Sequence, residues 1–475
     1  MRTTRPGRSL WAASAANVAV VGVRTVITAA LLAALTAVTA ATLRVGGDLG
    51  APGHLLIWYG VGWALFAAAA WTVRKVPPRA AAALVLIGGV ALSAAALSAP
   101  PRTSDDMYRY AWDGRVQAAG ISPYAYPPAA PQLARLRDPW LFPSGTGCQG
   151  WDLHQAPTGV CTHINRPTVH TIYPPVAEGW YLGVHAVSPA GSRHKPFQIA
   201  GAVLAVATTG ALLLVLRRRG DPWQAALWAW CPAVPIGAVN DAHVDTLGVL
   251  FTVLAFGVGP GVRRGALVGA GIAVKLLPGL VLPGALSGLL APGRRLRDRL
   301  AEAARVLVPA VLVVALAYLP YVLVSGTGVI GYLPGYLHEE GYDAGSVGRF
   351  AVLRLVLPDA WAGPVAIAAI ALAALYVLRR GDPQRPWRGA LLVTGTALLV
   401  TSPGYYWYAL LVVALVALDG RWEWLAVPAA GMVLYIETAQ GLRGIPVQAW
   451  PFGLAAVIVA TGAAVRLRAG RRGDA

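Results

Sequence analysis

Two neighbouring carboxylates, Asp105 and Asp106, begin the run Ser104-Asp105-Asp106-Met107-Tyr108-Arg109-Tyr110-Ala111-Trp112-Asp113-Gly114-Arg115. Adjacent like charges push their pKa values apart, so one carboxylate stays ionised while its neighbour is poised to exchange a proton. That division suits abstraction of a proton from a hydroxyl, and the pair also leaves room for a divalent cation at Asp105 and Asp106. A plainer role competes with both, because Ser-Asp-Asp ahead of a Tyr-Arg-Tyr-Ala-Trp run with helical spacing reads as a helix N-cap. Tyr108, Tyr110 and Trp112 alternate with Arg109, Asp113 and Arg115, and Tyr124, Tyr126, Trp140 and Trp151 follow. An aromatic belt at a membrane interface accounts for many of these rings. It does not account for their interleaving with charges, a mixture suited to a polyhydroxylated or phosphorylated ligand.

Polar residues recur further along the chain. Ile164-Asn165-Arg166-Pro167 and Thr171-Ile172-Tyr173-Pro174-Pro175 lie in the same long segment, and Asn240-Asp241-Ala242-His243-Val244-Asp245 comes later. His243 and Asp245 carry only a weak zinc signal, with no His-x-x-x-His or Cys-x-x-Cys pair to support it, and hydrogen bonding at a helix end is the alternative. Lys275 interrupts an apolar run, which is costly unless it finds an anion or water; it is a site candidate, with snorkelling from a hairpin tip as its other reading. His338-Glu339-Glu340-Gly341-Tyr342-Asp343 with Arg349, and Pro403-Gly404-Tyr405-Tyr406-Trp407-Tyr408, complete the set. Of the three cysteines, Cys231 falls in an apolar run while Cys148 and Cys161 share the long polar segment. In an oxidising exterior those two form a disulfide worth about 3 kcal/mol on the loop-entropy account. A zinc site with His154, His163 or His170 remains the alternative.

The elements that position these residues are membrane helices. A chain that is 56% hydrophobic and 13% charged, with a mean hydropathy of +0.57, exposes too much apolar surface for a water-soluble globule. The expected fold is an all-α polytopic membrane protein, one integral membrane domain over residues 1–475, with about twelve to fourteen transmembrane helices. Apolar runs fall at residues 26–43, 55–73, 80–99, 197–216, 223–239, 246–258, 306–324, 362–378, 389–401, 405–418, 425–436 and 447–465. Residues 265–290, broken by Lys275, Pro278 and Pro283, read as two short spans or one re-entrant hairpin. The first run is too long for a removable signal peptide and lacks a small-residue cleavage site.

Cytoplasmic loops carry the excess of Lys and Arg. Arg2, Arg5 and Arg8 put the N-terminus inside, with Arg74, Lys75 and Arg79 inside by alternation. The segment from 100 to about 171 is then extracytoplasmic. Residues 173–187 decide the parity of everything after them. If they lie in the interface rather than cross, every later basic cluster is cytoplasmic, as is the C-terminus. The inner side then holds 26 Lys+Arg and 7 Asp+Glu against 13 and 14 outside, so the excess of +18 is cytoplasmic. A pI near 10.3 thus reports topology and attraction to anionic lipid rather than a nucleic-acid partner.

No Walker P-loop, strand-to-helix Gly-x-Gly-x-x-Gly or nucleophile elbow is present. ATP and nucleotide sugars are scarce outside the membrane, so an outward-facing transferase needs another activated donor, and a lipid-linked phosphosugar meets that need. The runs 104–115, Gly120-Ile121-Ser122-Pro123-Tyr124, 164–167 and 171–175 resemble the bacterial GT-C glycosyltransferases. Within that fold they look most like glycosyltransferase family 87 and the polyprenol-phosphomannose-dependent mannosyltransferases of bacterial envelopes. Asn240 to Asp245 looks like a variant, with the order shifted, of that family's Gly-His-Asn-Asp loop. The cysteine-bearing insert at 143–163 departs from the family pattern.

The resemblance implies a large catalytic extracytoplasmic loop at residues 100–190 with an interfacial helix. It implies a polyprenyl-phosphate sugar as donor, a glycan or glycolipid acceptor, and inversion at the anomeric carbon. Asp106, with Asp105 as partner or substitute, takes the acceptor proton. Arg109, Arg166, Lys275 and Arg349 meet the phosphate charge, and Tyr110, Trp112, Asp113, Tyr173, His243 and Asp245 contact substrate. A secondary transporter or lipid-linked-sugar flippase is the rival, though it should carry ionisable residues near the bilayer midplane and repeat symmetry. An assembly scaffold would leave the acidic-aromatic loop without a reason.

Cysteine labels at Gly220, Arg264, Arg380 and Arg472 should report cytoplasm, and those at Ser144 and Gly341 the exterior. An external report from Gly220 overturns the parity assigned to residues 173–187.

Overall fold

The computed structural model describes residues 8–145, 147–219, 221–342, 349–442 and 444–473, with side chains from 22 to 469. Arg2, Arg5, Gly220 and Asp343 lie outside the described residues. The described residues are mostly helical, and the one sheet among them is a two-stranded pairing of His154–Gln155 with Cys161–Thr162. Among the described residues, seven helices are long and apolar enough to cross a membrane: Gly22–Val45, Leu55–Val73, Pro78–Ala96, Lys195–Arg217, Leu296–Glu339, Asp359–Arg380 and Ile445–Ala469. A bent pair, Val234–Asn240 with Asp245–Gly257, makes an eighth. The count of twelve to fourteen is therefore reached only if shorter helices such as Pro386–Thr401 and Leu410–Asp419 also cross.

Polar residues inside the long helices satisfy themselves. Thr28, Thr36, Thr39 and Thr42 each donate their hydroxyl to the carbonyl four residues back, at 2.7–2.9 Å. That bond removes the cost of an unpaired hydroxyl in lipid.

Elsewhere the sequence breaks its own helices. Pro235 lies in the π-helical turn Val234–Asn240, and the chain bends by 116° before Asp245–Gly257 resumes. Asn240, Asp241 and His243 thereby come to the end of a helix rather than its middle. Residues 265–290 form a hairpin: Val262–Ile272 climbs, Lys275 sits at the tip, and the short turns Leu277–Val281 and Leu282–Ala285 return. At about 16 Å the rising limb is too short to cross alone. Gly265 and Gly269 let it lie directly on the helix Leu296–Ser325, because a Cβ there would fall 2.1 Å from the Val306 carbonyl oxygen and 2.5 Å from that of Ala310. Close small-residue packing of this kind substitutes for a hydrophobic driving force in lipid.

The long polar segment folds as its own layer at one end of the bundle. The motif helix Asp106–Ala118 packs on the helix Pro175–Val187 around Met107, Tyr110, Trp112, Ile164, Ala177 and Tyr181, all essentially buried. Gly114 permits the approach, since a Cβ would meet the Tyr181 carbonyl oxygen at 2.5 Å. Thirteen residues, about 20 Å, make Pro175–Val187 too short for a span.

Replacing Gly265 by Val should lower the thermal stability of the detergent-solubilised protein by roughly 1–3 kcal/mol or abolish its recovery. Gly453→Ala, whose Cβ would meet nothing within 4 Å, is the control. Equal melting of the two variants would refute the close-packing account.

Candidate active site

One end of the bundle opens into a cavity of 1070 Å³ whose wall includes Asp105, Asp106, Arg109, Arg166, Tyr173, Lys275 and Arg349. Each comes from a different break in the chain or from the loop layer, so the cavity lies where discontinuous elements meet.

The carboxylate pair is held from below. Asn240 accepts the Arg102 backbone N–H at 3.1 Å, and Asp241 accepts the Thr103 N–H at 3.2 Å and the Thr103 hydroxyl at 2.6 Å. The hydroxyl of Tyr406 donates to the same Asp241 carboxylate at 2.9 Å, and that of Tyr435 to the Thr103 carbonyl at 2.6 Å. Residues 102 and 103 are thus clamped immediately before Asp105. At the helix start, Ser104 Oγ accepts the Asp106 N–H at 3.3 Å, while Asp105 makes no side-chain capping bond. The serine caps, and both carboxylates are free for other partners.

Those partners are few. Asn165 Nδ2 donates to Asp105 Oδ1 and to Asp106 Oδ1, each at 2.7 Å. His154 Nε2 lies 2.6 Å from Asp105 Oδ2. Asp106 Oδ2 has no hydrogen bond among the described residues, and His243 Nδ1 stands 3.6 Å from it. Burial, then the adjacent Asp105 charge, push the Asp106 carboxyl above the usual carboxylate range, against the opposing pull of Lys275, Asn165 and Arg166. Such a group takes up a proton more readily than an exposed aspartate.

His243 is buried and stacks on Trp407 with ring centroids 3.8 Å apart. Neither of its ring nitrogens has a hydrogen-bond partner among the described residues. Asp245 pairs with Lys275 at 2.7 Å, and the Lys275 ammonium also sits 4.6 Å from the centre of the Tyr408 ring. Arg166 pairs with Glu339, its Nε donating at 2.9 and 3.0 Å. Arg349 pairs with Glu340, while its Nη1 stays buried without a partner among the described residues. Arg109 pairs with Asp113 at 2.9 Å, and its Nη2 is likewise unpartnered.

Not every expected contact reaches the cavity. Tyr110 is buried flat against Tyr181, 4.5 Å between centroids, and Trp112 packs on Phe142. Asp113 is buried between Arg109 and Glu178 and does not line the cavity. Asp106, Arg109, Tyr110 and Asp113 share one face of the helix by their spacing, so position along the axis decides: the first turn opens on the cavity, and further along the helix Pro175–Val187 covers Tyr110 and Asp113. Asn165 and His154 are the contacts of the pair that residue types did not assign to it, His154 having been offered only as a zinc ligand. Asn165 stands beside Arg166-Pro167 in a quoted motif, the one signal available, while His154 sits in the insert with no motif around it.

Cys148 and Cys161 are joined in a disulfide, so neither thiolate is available to zinc, and His154 and His163 lie against Asp105 and Asp152. Among the described residues no group of three or more His, Cys, Asp or Glu side chains is placed to hold a metal ion.

Fold and site define a multi-pass helical membrane protein with an acidic and aromatic, cation-lined cavity at one end of its bundle. The family model of glycosyltransferase family 87 matches residues 172–403, just under half of the chain and including His243, Asp245, Lys275 and Arg349. Glycosyl transfer is the reaction class that follows. No curated protein and no solved structure matches the chain.

Behind the motif helix, Glu178 accepts from Thr171 Oγ1 at 2.8 Å and from Gln117 Nε2 at 2.9 Å. Burial, then the charge of Asp113, hold its carboxyl well above the usual range. A raised carboxyl binds its proton more tightly folded than unfolded, so stability falls as pH rises from the unfolded value of about 4.3 towards the raised one. Glu178→Gln should cost about 1 kcal/mol or less in mildly acidic buffer and flatten that decline. Melting curves across pH 4–8 read it, and a variant that declines with pH as the wild type does would show that Glu178 is ionised.

Proposed function

We propose that the chain transfers a sugar, mannose by its resemblance to the polyprenol-phosphomannose-dependent mannosyltransferases, from a polyprenyl-phosphate donor to an envelope glycan or glycolipid on the outer face of the membrane. In this reading residues 100–190 are the extracytoplasmic catalytic loop of one integral membrane domain, and both termini are cytoplasmic. The observation that carries it is Asp106 Oδ2, a proton-accepting oxygen left without a hydrogen bond in a cavity lined by cations. A transporter would carry such a group near the bilayer midplane and would show repeat symmetry.

The chemistry needs one proton moved and one bond exchanged. Asp106 accepts the proton of the acceptor hydroxyl while that oxygen attacks the anomeric carbon. The bond from that carbon to the donor phosphate breaks on the opposite face, so the configuration inverts and the polyprenyl phosphate leaves as an anion. Lys275 and Arg349 supply fixed positive charge for that anion, and the unpartnered Nη1 of Arg349 suits a phosphate oxygen. Tyr173, Tyr405 and Trp407 offer aromatic surface to a sugar ring and an isoprenoid.

Asp106→Asn keeps size and hydrogen bonding but removes proton-accepting power. Transfer from radiolabelled polyprenyl-phosphate mannose should fall by roughly 10²–10⁴-fold, with donor binding retained. Near-normal transfer in Asp106→Asn would move the role to Asp105, and normal transfer in the double Asn variant would end this mechanism.

A further inference from the structure

The insert at 143–163 has no task in the chemistry above, yet it reaches the carboxylate pair. Its hairpin sets His154 opposite Thr162 and Gln155 opposite Cys161, and the Cys148 disulfide closes it with Cα atoms 5.6 Å apart. The second strand is tied to the loop layer. Thr162 Oγ1 and the His163 N–H both donate to the Leu141 carbonyl, at 2.7 and 3.0 Å. The His163 ring stacks on Tyr108 of the motif helix at 4.8 Å, and its Nδ1 lies 3.0 Å from the Asp152 carboxylate. Register on the motif helix is thereby fixed, and the first strand carries His154 to Asp105.

That contact is what distinguishes the two carboxylates. The amide of Asn165 has two hydrogens and gives one to each, which treats them alike. Asp105 then has its second oxygen on His154, and Asp106 has its second oxygen on the cavity. A group with both oxygens engaged is a poor proton acceptor, and its neighbour is left as the base.

We propose that His154 is a positioning residue for glycosyl transfer, donating from Nε2 to Asp105 Oδ2 so that Asp106 is the base, with the disulfide-closed insert as the arm that delivers it. The inference rests on Asp106 acting as base. Either the neutral Nε2–H tautomer or the imidazolium makes the same donation. The charged and titratable groups facing the pair are Arg166, Lys275 and His243, with the phenols of Tyr108, Tyr110, Tyr173, Tyr181, Tyr336, Tyr405 and Tyr435. Among the described residues, His154 is the one titratable side chain hydrogen-bonded to Asp105. Without that donor the Asp105 charge acts on Asp106 in full. Asp106 then holds its proton to higher pH, and the acidic limb of the rate profile moves up.

The test uses the full-length protein with radiolabelled polyprenyl-phosphate mannose and native membranes as acceptor. His154→Ala should lower kcat roughly tenfold or more near neutral pH, leave the donor KM within about twofold, and move the acidic limb of kcat/KM to higher pH. His154→Gln retains an N–H at similar reach and should recover most of the rate. The double variant Cys148→Ser/Cys161→Ser should behave like His154→Ala and add nothing on top of it. Yield, melting temperature and a non-reducing gel establish that each variant is folded and that His154→Ala keeps its disulfide. A His154→Ala protein with wild-type kcat and an unmoved acidic limb overturns the proposal, as does a Gln variant no better than Ala. If Asp106→Asn is inactive while His154→Ala is normal, this inference alone falls. If the wild type transfers nothing, the mannosyl-transfer reading falls first.

Discussion

Two aspartates adjacent in sequence stand side by side in a cavity where each is only about one-sixth exposed, and the surrounding structure is arranged around their repulsion. Buried charge persists only where it is paired or hydrogen-bonded. The immediate answer here is a neutral one, the Asn165 amide shared between the pair, which satisfies lone pairs without cancelling charge. The cations stand one step further out, and each already has a carboxylate of its own: Lys275 with Asp245, Arg166 with Glu339, Arg349 with Glu340 and Arg109 with Asp113. Among the described residues no cation is hydrogen-bonded to Asp106, so its carboxyl keeps its affinity for a proton. Each cation is meanwhile locked in orientation before any anion arrives, the condition under which electrostatic stabilisation costs no reorganisation.

The class of the protein was legible in composition, and the acidic motif in residue types and spacing. Both are local properties, carried by a contiguous stretch. Lys275 and Asp245 were each legible as anomalies, a lysine in an apolar run and an acid at a helix break, but their pairing across thirty residues was not. The motif helix was readable, and what covers it less so: the helix Pro175–Val187 closes over Tyr110 and Asp113, and Phe142 over Trp112. His154 was least legible of all. Its contact with Asp105 depends on a hairpin register and a disulfide, neither of which leaves a pattern around the histidine itself.

The difference between an apolar run and a crossing helix has the same origin. Helices on the outside of the bundle are long and expose apolar faces, as Leu296–Glu339 does with only 11% of its most apolar window buried. The helices inside are short and broken: Leu410–Asp419 is buried along nearly its whole length, and Val234–Asn240 bends away from its successor. Lipid tolerates no unpaired backbone, so irregular chain at membrane depth has to be enclosed by protein or open onto a wet cavity. These breaks do so. Ala242 and Ser402, both in the left-handed backbone region that favours glycine, stand beside His243 and Tyr405 respectively, and Arg166 takes the same conformation on the cavity wall. Non-glycine residues hold such angles only where the surroundings over-determine them. The long outer helices provide that enclosure, so the runs that read as additional spans are the interior pieces whose interruption creates the site.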